Sequence, residues 1–321
     1  MILRFLKNWT LPVAMFTGAL VYFLFANSPV LSPAVPWLSR VLSWLTPALI
    51  FAQLLLTFCK MEWRDLKPKW WHIWLLLFQL LSSTAVAAVL FVLPFEEEYR
   101  CLWQGAMVCL ICPTATAAAV ITAKLGGSAS SLTTYTLLSN LLAALVVPWV
   151  FPLVEVQSGF SFFASFTKIL SKVFPLLLVP FFLAGVLRIY FPKIHRLLLD
   201  ASDIAFYLWA IALAIVSGQT VRSLVLSEAP WQVELSIALV GLVVCACQFW
   251  IGKRVGAHYH DRISGGQALG QKNTVLAIWM AYTYLNPLSS VAPGSYVLWQ
   301  NLFNSWQLWI KRKSEDSDVT H

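Results

Sequence analysis

Charge is what this sequence has least of. Of its 321 residues, 11% are charged and 59% hydrophobic, and the mean hydropathy is +0.74. Soluble domains carry about 25% charged and roughly 45–50% apolar residues, so an ordinary soluble globular chain is excluded. Chemistry-bearing patterns are also missing. There is no HExxH, no Walker-type glycine-rich lysine motif and no aspartate deep inside an apolar block, and the five histidines fall at loops, block ends or the tail. These absences argue against an enzyme and against a nucleotide-driven pump, and no cofactor is expected. Cysteine is sparse as well. The pair Cys109 and Cys112 forms a lone CxxC inside an apolar block, without the second pair a zinc site needs, so neither a metal nor a disulfide framework is expected.

What is present is apolar sequence in blocks of about twenty residues, the length of helix that crosses about 30 Å of hydrocarbon. The blocks predict an all-α polytopic membrane protein with ten spans, near 9–27, 38–58, 71–94, 101–125, 129–154, 166–191, 203–222, 231–252, 264–285 and 289–310. The opening "MILRFLKNWTLPVAMFTGALVYFLFAN" is longer in its apolar part than a signal peptide's roughly 7–15 residues and has no A-x-A site; it is expected to be retained as the first span. The net charge of +8 needs no nucleic acid to explain it, because cytoplasmic loops collect Lys and Arg. With a cytoplasmic N-terminus, Arg4, Lys7, Lys60, Lys67, Lys124, Arg188, Lys253, Arg262 and Lys311 share the cytoplasmic face. Arg40, Arg100, Arg222 and the acidic Glu96–Glu98 take the other. Both termini are then cytoplasmic, in a plasma or inner membrane. One transmembrane domain is expected over 1–321, with a flexible tail at 313–321.

Two blocks are interrupted. The fourth, "CLWQGAMVCLICPTATAAAVITAKLGG", is broken at Pro113, which lacks a backbone donor and clashes with the preceding turn. Thr114 and Thr116 follow it among alanines. The ninth is broken by "GQKN", Gly270 to Asn273. Irregular backbone at membrane depth persists only where it is buried in protein or lines a polar cavity. Each break falls in the fourth member of a set of five, which predicts two inverted five-helix repeats, about 1–155 and 160–312, whose broken helices 4 and 9 cross at a transport site. The half-helix ends there favour a small organic anion, and Thr114, Thr116, Lys272 and Asn273 are its candidate ligands. Lys272 has no acidic residue within ten positions on either side and lies ten residues beyond Arg262, roughly 15 Å along a helix. That is far for a lysine to reach back to the interface, and ionisable residues inside a membrane are functional candidates by default. Gln300, Asn304 and Gln307 recur at helical spacing in the last block and read as glue between helices.

The segment "CPTATAAAVITAKLGGSASSLTTYTLLSNLLAALVVPWVFPLV" resembles the part of the bile acid:sodium symporter family in which a Pro-Gly-Gly-Thr-Ala-Ser-Asn-type motif breaks the fourth helix. "ALGQKN" resembles that family's Glu-x-Gly-x-Gln-Asn motif, and Gln79 in "LLLFQLLSS" resembles a glutamine near a sodium ion. The resemblance implies a secondary transporter in which the residues matching Thr116 and Asn273 contact substrate. It also implies sodium sites, but Ala118 and Ala119 stand where Ser and Asn belong, Ala268 where Glu belongs, and Lys272 where Gln belongs. Hard cations need oxygen ligands, and only Gln79 and Thr136 remain as ion-site or coupling candidates. The departures imply transport without sodium, Lys272 supplying the missing positive charge either as a fixed cation or by loading and releasing a proton. Sodium coupling through other ligands, or a non-transporting receptor, stays open. The partners expected are the lipid bilayer, the organic anion and, in the second version, H+.

A reporter fused after Lys313 is expected to report the cytoplasmic side; activity of that fusion on the external face would overturn the assigned orientation.

Overall fold

Pro113 and the Gly270–Asn273 stretch cut the apolar pattern into pieces shorter than a membrane is thick, and this decides the architecture. A computed structural model describes residues 10–62, 64, 66–155, 161–201 and 204–319. Its helices are α1 (Thr10–Asn27), α2 (Val35–Cys59), α3 (Trp70–Val92), α4 (Glu97–Ile111), α5 (Ala118–Leu125), α6 (Ala129–Val154), α7 (Phe162–Tyr190), α8 (Pro192–Asp200), α9 (Ile204–Val225), α10 (Trp231–His258), α11 (Arg262–Gly270), α12 (Thr274–Tyr284) and α13 (Val291–Val319). The only β-type pairing among the described residues is one isolated antiparallel bridge, Thr114 with Lys272.

The expectation of ten spans in two inverted repeats is corrected by these helices. Among the described residues, seven are long and apolar enough to cross a membrane: α1, α2, α3, α6, α7, α9 and α10. No inverted five-helix repeat is evident. The blocks read as fourth and ninth spans are not single helices of membrane length; each is two short helices. α4 has 15 residues and opens on Glu97 and Glu98, while α5 has 8, α11 has 9 and α12 has 11. α13 is long enough at 29 residues but too polar, carrying Gln300, Asn301, Asn304 and Gln307 before Lys311. Arg4 and Lys7 of the charge pattern lie outside the described residues.

Local sequence explains the boundaries. Ser128 begins α6 by accepting from Ser131 N, and Ser161 begins α7 by accepting from Ala164 N, each satisfying an amide that a helix start leaves unpaired. α5 ends at Gly126, whose φ of 90° is left-handed backbone that favours glycine. Pro192 opens α8, a short helix with Lys193 and Arg196 among Ile194 and Leu197. His195 is buried against the Cys59 carbonyl, with Nε2 3.1 Å away.

Three apolar clusters hold the helices together. One joins α1, α2, α6, α7, α9 and α12, another joins α4, α10 and α13, and a third gathers Trp71, Leu75, Leu132, Tyr135, Ala268 and Leu269 beside the bridge. One close approach is between α10 and α11. A Cβ on Gly252 would lie 2.3 Å from the Gly265 carbonyl oxygen, and one on Gly265 2.5 Å from that of Gly252. Small residues let membrane helices approach until dispersion contacts are dense, and here they seat the short α11 firmly on the long α10. Gly252→Ala is expected to destabilise by about 1–3 kcal/mol through overpacking, read as a lower Tm of the purified protein; an unchanged Tm would mean the helices do not meet this closely.

Candidate functional site

A helix that stops inside a membrane leaves its last carbonyls without partners, and there each unsatisfied group costs several kcal/mol. At the end of α4 the accounting can be followed residue by residue. The Cys109 carbonyl accepts from Gln248 Nε2 at 3.1 Å, and Leu110 from Lys272 Nζ at 3.4 Å. Ile111 and Cys112 accept from Gln79 Nε2 at 2.7 and 3.3 Å, and Pro113 from the Asn273 amide at 2.9 Å. The end of α11 is treated in the same way. Ala268 accepts from the Thr114 hydroxyl at 2.6 Å, Gly270 from Tyr296 OH at 2.8 Å, and Gln271 from the Ala115 amide at 2.9 Å. The Cys112 thiol donates to the Asn273 carbonyl at 3.0 Å. Each break therefore caps the other.

The residues singled out from sequence take distinct places. Pro113, Thr114, Lys272 and Asn273 come together in the bridge. Thr114 is fully buried, and its amide also donates to Ser139 Oγ at 3.2 Å. Lys272 is 1% exposed; its amide donates to Gln300 Oε1 at 2.9 Å, and the Leu110 bond is its ammonium's one hydrogen bond among the described residues. Asn273 caps α12, its Oδ1 accepting from Leu276 N at 3.2 Å, which leaves its amide NH2 as a donor. Thr116 is half-buried at the turn into α5, and its hydroxyl makes no hydrogen bond among the described residues. Gln79 spends both Nε2 protons on α4, while its Oε1 accepts from Tyr135 OH at 3.3 Å. Thr136 bonds back to the Leu132 carbonyl at 3.0 Å and stands one turn before Ser139 on α6. Gly270 faces the Phe249 ring so closely that a Cβ would lie 2.4 Å from it. Ala118 and Ala268, where the family pattern asks for oxygen-bearing side chains, are fully buried.

Several partners were not singled out: Ser139, Gln248, Gln267 and Tyr296. Their signal was polarity inside apolar blocks, which is shared by many side chains that bond only to their own helix. Gln300 and Asn304 do join helices, through the Lys272 amide and through Gln267 Nε2 at 3.0 Å. Gln307 bonds back to Phe303. The buried side-chain carbonyl oxygens of Asn140, Gln248, Gln267 and Gln271 have no partner among the described residues, so the surroundings of the bridge retain unused acceptors. Among the described residues no group of three or more His, Cys, Asp or Glu could hold a metal ion.

Two further features lie at opposite ends of the molecule. Asp261, just before α11, accepts from Lys69 Nζ at 2.7 Å and Trp71 Nε1 at 3.2 Å, and Trp74 donates to Tyr259 OH at 2.8 Å. These contacts bind the start of α3 to the α10–α11 turn. At the other end a cavity of about 680 Å3 opens between the start of α4, the end of α9, the link from α9 to α10 and the segment after α12.

Compared with known proteins, residues 15–312 match the model of the SBF-like CPA transporter family. No curated protein matches the chain.

Gln79→Leu removes the donor shared by Ile111 and Cys112 and is expected to cost about 1–3 kcal/mol, the penalty for orphaned buried acceptors, measured as a lower Tm. An unchanged Tm would show that the α4 carbonyls do not depend on Gln79.

Proposed function

The chain belongs to the SBF-like CPA transporter family, and from that premise we propose that it carries a small organic anion by secondary transport, independently of sodium, with the paired breaks as its substrate site. The observation that carries this reading is the setting of Lys272: an ammonium 1% exposed, against a carbonyl at the C-terminal end of α4. Helix C-termini concentrate partial negative charge, and carbonyl oxygens are what would hold an alkali cation. A lysine tethered at that point supplies the positive charge without an ion to recruit or release. Asn273, with its spare amide donors, and Thr116, with its unengaged hydroxyl, then meet the substrate's carboxylate or equivalent group. Thr114 and Gln79 hold the backbone of the site in place. Thr136 supports Ser139, whose hydroxyl donates to the Thr136 carbonyl at 3.0 Å and accepts from the Thr114 amide.

Two versions follow from the same geometry. A permanently charged Lys272 makes the protein a uniporter or exchanger. A Lys272 that loses its proton when the substrate leaves makes it a proton symporter, because the bound anion favours the ammonium and links the two loads. The charge asymmetry of the sequence supports a cytoplasmic location for the Lys69–Asp261 end and an external one for the cavity.

Proteoliposome uptake, with a panel of labelled carboxylates and Na+ replaced by K+ or choline, tests the reading. Uptake is expected to survive the replacement; its collapse would refute sodium independence. Thr116→Val with Asn273→Ala is expected to lower apparent affinity at least tenfold, and unchanged affinity would move the site elsewhere. Lys272→Met is expected to abolish transport while changing stability by no more than about 2 kcal/mol, because relief of a buried ammonium offsets the loss of the donor to the Leu110 carbonyl. A pH-gradient dependence lost in Lys272→Gln selects the symporter, and pH-independent exchange selects the fixed charge. Full transport by both Lys272 variants would exclude Lys272 from the mechanism.

A further inference from the structure

The cavity at the end remote from the Lys69–Asp261 contact is lined by Glu96, Glu97, Glu98 and Glu228, and by one cation, Arg222. Among the described residues Arg222 makes no ion pair with any of these carboxylates. Glu97 instead accepts from Asn286 Nδ2 at 3.1 Å. Arg222 comes from the last turn of α9, Glu97 and Glu98 from the first turn of α4, and Glu228 from the link to α10. Arg222 and Glu228 therefore line the cavity from the end of α9 and the link after it, and Glu96–Glu98 line it from the start of α4. At about 680 Å3 it is of a size that takes small solutes, which occupy pockets of roughly 300–1,000 Å3.

The sign pattern discriminates among solutes. A simple anion would gain from Arg222 but face four carboxylates, and a simple cation would face the reverse. A charge-lined cleft enriches the solute that its field suits, and only a solute bearing both charges a few ångströms apart gains from the arginine and from the glutamates together. A divalent cation is a poor alternative, because these acids do not form a group that could hold a metal. From this lining by one arginine and four glutamates that form no ion pair with it among the described residues, we propose that the cavity is a binding site for a zwitterionic solute, whose carboxylate or phosphate lies on Arg222 and whose ammonium lies among the glutamates. The planar guanidinium suits such an anion through two parallel hydrogen bonds.

The cavity is distinct from the bridge. α4 runs between them, from Glu97 to Ile111, a rise of roughly 20 Å, so a small solute occupies one and then the other. The proposal rests on the reading of the chain as an organic-anion carrier and narrows its substrate to anions that also carry a cationic group. Glutamates at the cavity admit that group, and the donors at the bridge take its anionic end.

The test uses the full-length protein in nanodiscs, with radiolabelled glycine betaine and γ-aminobutyrate as zwitterionic probes, acetate as the anion and choline as the cation. At least one zwitterion is expected to bind tenfold or more tightly than acetate and choline. Arg222→Gln and the double substitution Glu98→Gln, Glu228→Gln are each expected to weaken it tenfold or more. Arg222→Lys keeps the charge and is expected to retain part of the binding, which separates recognition from a fold defect. Failure of both zwitterions, choline binding as tight as theirs, or loss in Arg222→Lys equal to that in Arg222→Gln would each overturn the proposal. Binding is also measured in Thr116→Val with Asn273→Ala, where it is expected to persist. Persistent cavity binding with unchanged transport in that variant would refute the bridge as substrate site alone. Impaired transport with no zwitterion bound would refute the cavity proposal alone.

Discussion

A backbone carbonyl that loses its helical partner inside a membrane must find another donor, and the arrangement around Thr114 and Lys272 follows from that requirement. Pro113 and the Gly270–Asn273 stretch each end a helix in the apolar interior. Donors to the stranded oxygens come from α3 through Gln79, from α10 through Gln248 and from α13 through Tyr296, and the two breaks supply one another through Thr114, Ala115, Cys112 and Asn273. Five separate segments are thereby locked at one point by polar contacts, while apolar side chains pack around it. The site is first of all a solution to a hydrogen-bonding problem.

Lys272 belongs to the same solution. Its amide completes Gln300 and its ammonium reaches Leu110, so it is a backbone partner and a buried charge at once. A leucine there would satisfy the hydrophobic interior and leave the end of α4 without a cation. This double duty gives a physical reason for a lysine in a stretch with no acid nearby.

Charge is otherwise kept to the ends. At one end Lys69, Trp71 and Asp261 close α3 onto the α10–α11 turn. At the other, Arg222 and the glutamates stay apart around an open cavity. The glycines between α10 and α11 make that pair one unit, so the break at Gly270 is carried on a stiff support and the closed and open ends are joined through it.

By itself the sequence determined the solvent and the chemistry: blocks of apolar residues can be stable only in lipid, and Pro113, Gly270, Lys272 and Asn273 had to mark irregular backbone. The motifs around them pointed to the transporter family that residues 15–312 match. It did not determine the number of spans. A hydropathy reading sums across a break, so α4 with α5 and α11 with α12 each passed for one span, and the polar face of α13 was averaged away. Which buried amides reach the breaks was likewise decided in three dimensions. Gln79, Gln248, Gln267 and Gln300 look alike in sequence, and Thr136, which bonds only to its own helix through its hydroxyl, looks like Thr114, which bridges to another. Helical spacing says which face a side chain occupies, but only the packing of helices far apart in sequence brings a donor within reach of a particular carbonyl.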